Sequence, residues 1–381
     1  MINGMLERGY DQDFAERCFR QIEGFGDYGF PESHAASFAL LVYISAWMKR
    51  HYPAVFACAL LNSQPMGFYA PAQLVRDARE HGVMVRPPDV NLSGWDCSLE
   101  LDDEGEGAYA LRLGLRQVRG LKELDGEWVM RARGNGYADP DAIWRLAGLN
   151  GLALEKLARA DAFASMGLSR RESLWAVRRF AAANARGDAK PLPLFEAVGD
   201  DGWGVEAPVV LPDMSPGEAV MADYASLRLS LRCHPMMLLR GRFENSVPAK
   251  ELLDTDNGTG VTVIGLVLAR QRPGTAKGVI FATLEDETGV ANIIVWPKVF
   301  ERYRRIVLTA RLLKVTGRLQ RDGIVTHLTA DRLENCSSLL DSLVEPEPID
   351  LNGSRPAPPP KSGFRHPRNQ GSVLFPSRDF H

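Results

Sequence analysis

The sequence predicts a multidomain α+β protein: a mainly helical N-terminal half, an all-β barrel, and a disordered tail. Three observations predict it. Residues 12–82 place apolar residues at helical spacing in separate runs. Between Val261 and Leu333 the pattern changes to short strands punctuated by turn residues. Beyond Leu343 the chain is rich in Pro, Ser, Gly and Arg and has no apolar periodicity. At 381 residues there is room for about two or three domains. The expected divisions are 1–100, 101–183, 184–255 (a linker and lead-in), 256–340 and 341–381.

Taken in order, Asp13–Phe25 reads as a helix ending at Gly24 and Gly26, before the turn at Tyr28 to Pro31. A long helical pattern then runs from Ser33 to His51. Ser33 is a candidate N-cap, Lys49, Arg50 and His51 suit the negative end of the helix dipole, and Pro53 stops it. Shorter helical patterns cover Ala54–Leu61 and Ala72–His81, the latter closed by Gly82. The longest apolar stretch, Ala35–Met48, is 14 residues long and contains Ser37 and Ser45, which is too short to span a bilayer. Glu7, Arg8, Asp11 and Asp13 interrupt any secretory pattern. The five cysteines are scattered with no Cys-x-x-Cys pair, which argues against a zinc module or a disulfide framework and suits a reducing cytoplasm. The seven histidines form no His-Glu-x-x-His pattern, so a metal hydrolase is not supported.

In the middle of the chain, Ala110–Leu121 followed by a helical pattern through Val129 to Arg133 reads as a helix-hairpin-helix module. Gly120 lets backbone approach a phosphate, amides opening the next helix can bind its oxygens, and Arg116, Arg119 and Lys122 add charge. Such contacts grip a duplex without reading its sequence; the alternative is an αα-corner that uses Gly for packing. A second helical pair is expected over Pro140–Phe180, with Leu149-Asn-Gly-Leu152 as its hairpin. Arg170, Arg171, Arg178 and Arg179 either extend a basic surface or form a solvated helix face. Within the looser stretch from Asn184 to Leu211, Pro191-Leu-Pro-Leu-Phe195 resembles short sliding-clamp-binding peptides, with Leu192, Leu194 and Phe195 as the apolar contacts. Pro191 replaces their usual leading Gln.

The last module has three strand patterns, a short helix around Phe300–Val307, and two more strands, the order expected of an OB-fold. Such barrels bind single-stranded nucleic acid through a basic groove and stacking aromatics. Candidate rings are Phe281, Trp296 and Tyr303; candidate cations are Arg270, Arg272, Lys277 and Arg318. Val261–Leu333 holds twelve Lys or Arg and six Asp or Glu, a formal net of +6 in a chain that carries −3 overall. A basic module in a mildly acidic chain points to a local polyanion site. A solvated barrel surface, or one that binds protein, is the alternative.

Two stretches carry a family resemblance. Gly24 to Tyr43 resembles the end of the fingers region in bacterial C-family DNA polymerases, which are similar to the DNA polymerase III alpha subunit. Pro31-Glu-Ser-His34 and Arg270 to Lys277 resemble the error-prone, damage-inducible branch, as does the closing Ser377-Arg-Asp-Phe-His381; the replicative branch usually has Lys where Glu32 stands. The resemblance covers essentially the whole chain but only the C-terminal third of the family. It implies a fingers end over 1–100, a role in translesion synthesis, and partners that include primer–template duplex, single-stranded template, the sliding clamp and other damage-response polymerase subunits, with no membrane, in the cytoplasm. Magnesium and deoxynucleoside triphosphates serve the full-length family; its palm aspartates are expected upstream of Met1, so no catalytic or metal residue is expected in this segment. Asp102-Asp103, followed by Glu104-Gly-Glu-Gly107, reads as an acidic turn. His34 lies near the incoming nucleotide if the fingers resemblance carries over; otherwise Ser33 caps the helix and His34 packs beside it. Two rivals remain: a noncatalytic fragment that binds single-stranded nucleic acid alone, and an accessory protein whose barrel binds tRNA, against which the fingers-like segment counts.

Overall fold

The structure, a computed structural model, describes residues 1–28, 32–67, 69–102, 109–185, 211–323, 325–344 and 378–380. The helical N-terminal region comprises α1 (Ile2–Leu6), α2 (Gln12–Tyr28), α3 (Glu32–His51), α4 (Pro53–Asn62) and α5 (Pro71–Glu80). Because α3 starts at Glu32, Ser33 is its second residue and not the expected N-cap. Lys49 in the last turn of α3 pairs with Asp77 of α5 at 2.7 Å. Pro53 opens α4, where its missing N–H costs nothing. Phe38, Leu40, Leu41, Val42, Tyr43, Ile44 and Trp47 leave α3 apolar on several sides and exposed.

Three short strands follow. β3 (Tyr109–Arg112) pairs in parallel with β1 (Val85–Arg86) and antiparallel with β2 (Ser98–Leu101). The expected division at residue 100 falls inside this sheet. The first arm of the expected hairpin is therefore not helical: a strand runs into one 3-10 turn at Leu115–Gln117 before α6 (Glu123–Ala132). Backbone pairing with β1 on one side and β2 on the other keeps β3 extended, and the Arg112 guanidinium donates to Glu100 of β2 at 2.8 Å. A second hairpin links α7 (Pro140–Ala147) to α8 (Gly151–Arg159), with Asp139 and Asn150 capping their first turns through side-chain oxygens. Leu111, Leu113, Ile143, Leu154, Leu157 and Phe163 form one core with α4 and α5, to which α9 (Arg170–Ala185) adds Val177 and Phe180.

Residues 211–255 are more than a linker. Ser215 and Glu218 form a capping box that starts α10 (Pro216–Leu227), and α11 (Pro235–Leu239) follows. Met221, Met236 and Leu239 pack onto the outer side of the barrel at Ile264, Leu266 and Leu312. The barrel runs β4 (Gly260–Gln271), β5 (Ile280–Glu285), β6 (Val290–Val295), α12 (Pro297–Thr309), β7 (Leu312–Asp322) and β8 (Val325–Asn335). Its spatial order β5-β6-β8-β7-β4 closes through a β4–β5 pairing, as the OB-fold reading requires. Val263, Ile280, Ile293, Val295, Val315 and Leu328 fill the interior. At Gly317, where the β7–β8 register shifts, a Cβ would stand 2.0 Å from the Thr329 carbonyl oxygen, so the strands meet only around glycine. After α13 (Ser338–Ser342), the described residues continue to Val344 and resume at β9 (Arg378–Phe380), which pairs in parallel with Ala269–Gln271 of β4.

Candidate nucleic-acid interface

Strand alternation builds the barrel's outer face. On β5, Ile280, Ala282 and Leu284 point inward while Phe281 and Thr283 turn out; on β6, Asn292 and Ile294 turn out between buried Ala291, Ile293 and Val295. Register aligns these outward residues in two rows. One runs Gln271, Phe281, Ile294, Thr329, Arg318; the other runs Thr283, Asn292, His327, Gln320. Phe281 is 40% exposed, and Trp296, just beyond β6, is 51% exposed. The surface thus offers rings for stacking, flanked by polar groups that can meet base edges or phosphates.

The cations sort differently from the sequence expectation. Arg270 is buried, and its guanidinium donates to the Ala310 carbonyl, so it is not a groove cation. A register shift between Val267 and Ala269 breaks the alternation and turns it inward. Arg272 lies over the Phe300 ring at 5.3 Å, and Lys277 is exposed at the close of the 3-10 turn Gly274–Ala276. Arg318 is exposed on the first row. Tyr303 is half-buried against the barrel core, at a break in α12, and is not one of the face's rings.

Three of the barrel's acidic groups, Glu285, Asp286 and Glu287, lie at the far end of β5, facing the helical region. Glu285 pairs with Arg76 of α5, while Arg240 reaches both Asp286 and Glu287. Burial pushes the Glu285 carboxyl up against the lowering influence of Arg76. Burial would raise Asp286 as well, but hydrogen bonds from Thr288 and the Ala249 amide, with the Arg240 guanidinium, outweigh it and hold the carboxyl below its ordinary range. Arg76, Glu285, Asp286 and Glu287 line a cleft of about 390 Å³ with His234, Arg232 and Cys233. Burial pushes the His234 imidazole down to about 4. Its Nδ1 accepts the Met236 amide at 3.1 Å, and its Nε2 is sealed away without a partner among the described residues.

In the hairpin module, Arg116 is committed to structure: its guanidinium donates to the Asn62 and Gln64 carbonyls and to Asp96 at 2.6 Å. Arg119 and Lys122 are exposed, and Lys122 is the N-cap residue of α6 without a side-chain cap. Gly120 takes φ +75°, a conformation that favours glycine, and its carbonyl accepts from Lys156 at 2.5 Å. Glu123 and Asp125 in the first turn of α6 weaken that helix end as an anion site. Lys156 and Arg159 join Arg119 and Gly120 around a cleft of about 670 Å³. Sequence reading missed both; their only signal was the i, i+3 spacing on the helix after the second hairpin. Arg170 is buried against Asp223, Arg171 pairs with Glu218 and Arg179 with Asp141, which leaves Arg178 as the exposed member of that group without a carboxylate partner among the described residues.

At the other end, His34 is exposed and its ring lies 4.4 Å from that of Phe38. The Ser33 side chain, residues 103–108 of the acidic turn, and Leu192, Leu194 and Phe195 lie outside the described residues. Among the described residues no helix is long and apolar enough to cross a membrane.

A hairpin module joined to a closed basic barrel defines a nucleic-acid-binding protein. Family models agree: residues 82–173 match the helix-hairpin-helix motif and residues 261–335 the OB-fold nucleic acid binding domain. Over its length the chain is 56% identical to the error-prone DNA polymerase of Ruegeria pomeroyi, covering 100% of this chain and 34% of that protein. It is 52% identical to error-prone DNA polymerase 1 of Rhizobium meliloti over 90% of this chain and 32% of that one. Against the Brucella abortus error-prone DNA polymerase, identity is 48%, over 100% and 34%. At 48–56% identity over 90–100% of its length, the chain matches part of error-prone DNA polymerases; it spans about a third of the length of these relatives, and its two modules fit their C-terminal region.

Proposed function

We propose that the chain is the DNA-gripping portion of an error-prone DNA polymerase acting in damage-induced, translesion synthesis. The observation that carries this reading is the outer barrel row of Phe281, Ile294, Thr329 and Arg318, with Trp296 beside it and Arg272 and Lys277 on the adjoining loop. Single-stranded template lies on this face, its bases on the rings and its phosphates on the cations. Primer–template duplex is held through its phosphates at Arg119, Gly120, Lys122, Lys156 and Arg159. The exposed apolar side chains of α3 suit a fingers end that the rest of a longer polymerase covers, with His34 near the nucleotide side of that helix.

The full-length activity would be DNA-templated nucleotidyl transfer from deoxynucleoside triphosphates with magnesium. Transfer of that kind needs carboxylates that hold two cations. Among the described residues there is no group of three or more His, Cys, Asp or Glu side chains that could hold a metal. The sliding clamp and other damage-response subunits, in the cytoplasm, complete the proposed setting.

The test is fluorescence anisotropy of a labelled oligo-dT across a salt series. Replacing Arg272, Lys277 and Arg318 together with Gln should weaken binding and reduce the magnitude of the salt slope by about 2, at roughly 0.7 per neutralised phosphate on single strands. A folded triple variant that kept both the wild-type affinity and the wild-type slope would overturn the assignment.

A further inference from the structure

The single-strand path proposed above ends, on the barrel face, at Trp296. That residue is also where α12 begins, with Pro297 as its first residue. Within 13 residues α12 exposes Lys298, Arg302, Arg304 and Arg305 and only one acid, Glu301. None of the four cations has a carboxylate in ion-pair reach among the described residues. In the helical region many exposed cations are matched, Arg76 to Glu80, Arg131 to Glu127, Arg159 to Glu155, Arg171 to Glu218 and Arg232 to Asp161, whereas Arg119, Lys122 and Arg178 have no carboxylate in ion-pair reach among the described residues. Lys298 and Arg302 stand at i, i+4, a spacing at which like charges repel and oppose helix formation. An unmatched cluster kept at that cost calls for an anion from outside the chain.

The geometry also connects it to the face. Lys298 and Arg302 stand at i and i+4 on one side of the first segment of the helix, and Arg305 follows in the second segment. The break at Tyr303 (φ −113°, ψ 21°) falls between Arg302 and Arg305, both of which are exposed. Arg272 of the first barrel loop lies over the Phe300 ring of α12, and Arg304 lies over the same ring at 5.9 Å. The loop is thereby tied to the helix, and its cations lead from the Phe281–Trp296 face to the α12 stripe.

We propose that α12 is a second phosphate-tracking element: a single strand leaving the barrel face at Trp296 continues along Lys298, Arg302 and Arg305. This rests on the barrel-face reading and extends the site by several nucleotides. It names three residues that contact phosphate and no base, so the extension adds affinity without sequence preference. An acidic protein surface would also suit four cations; the continuity with the stacking face favours the nucleic acid.

The experiment compares two oligo-dT probes, one of about 5 and one of about 16 nucleotides, spanning the range of site sizes seen for single barrels. Both are titrated against the full chain and against the triple variant Lys298→Gln, Arg302→Gln, Arg305→Gln, whose folding is checked by thermal melting. Wild type should bind the longer probe more tightly than the shorter one. The variant should bind the short probe as wild type does, lose most of the gain with length, and show a salt slope on the long probe smaller by about 2. Raising salt from 50 to 200 mM should then cost the variant roughly 10- to 20-fold less affinity than it costs wild type. A folded variant that keeps the wild-type gain and slope overturns the α12 track alone, as does a wild type that binds the short probe but gains nothing with length. A wild type that binds neither probe overturns the barrel-face reading and the track with it.

Discussion

Replacing Trp296 with Ala separates a stacking ring from a packing one. The side chain is half exposed and lies outside the interior cluster of the barrel. Its backbone carbonyl accepts the Val299 and Phe300 amides that open α12, and those bonds survive the substitution. A Trp side chain buries on the order of 150–250 Å² when fully enclosed. Half of that, at about 25 cal/mol per Å², sets an upper estimate of about 2–3 kcal/mol for lost stability. The barrel should therefore melt earlier but still fold. Loss of a stacked base should cost about 1–3 kcal/mol of binding, roughly 5- to 150-fold in Kd. Trp296→Phe keeps a ring and should recover most of that loss. The assay is anisotropy with oligo-dT beside a urea melt of each variant. A folded Trp296→Ala chain with wild-type affinity would refute the stacking role.

Asp286→Ala should destabilise the chain by about 3–5 kcal/mol in urea denaturation, because it removes one partner of a buried charge pair and leaves Arg240 less compensated. Since the native Asp286 carboxyl titrates below its ordinary range, its contribution is present above about pH 4 and is lost as pH falls through the native value; the variant should show a shallower acid limb there. His234, lowered to about 4, acts at higher pH: the unfolded chain takes up its proton first, so stability should fall by up to about 3 kcal/mol between pH 6.5 and 4, and His234→Asn should flatten that interval while keeping the cap on α11. With magnesium and deoxynucleoside triphosphates the purified chain alone should not extend a primer; extension above a contaminating-polymerase control would contradict the binding-only role.

Much of the barrel was legible because its signals are local. The strand patterns of β5 and β6 and the helical run after Trp296 each lie within a few residues, and Phe281 and Trp296, named from the sequence as candidate rings, are exposed. Arg270 was not legible, since one irregularity between Val267 and Ala269 inverts which positions face the core. Arg116 failed for a different reason: its acceptors at Asn62 and Gln64 are 54 and 52 positions away and become neighbours only through packing of α4. Residues 110–115 alternate apolar and other residues at period two, a strand signal that the glycine-centred hairpin pattern overrode. Lys156 reaches Gly120 across 36 positions, so the basic cleft of the hairpin module depends on how two hairpins dock.

The most direct measurement of the central claim is photo-cross-linking of a bromodeoxyuridine-substituted single strand to the full chain, with the adducts mapped by mass spectrometry. The account places bases on the outer barrel rings, so adducts should fall on Phe281 and Trp296 and be competed away by unlabelled oligo-dT. Adducts confined to other surfaces of the barrel or to the helical region, with none on those two residues, would contradict it.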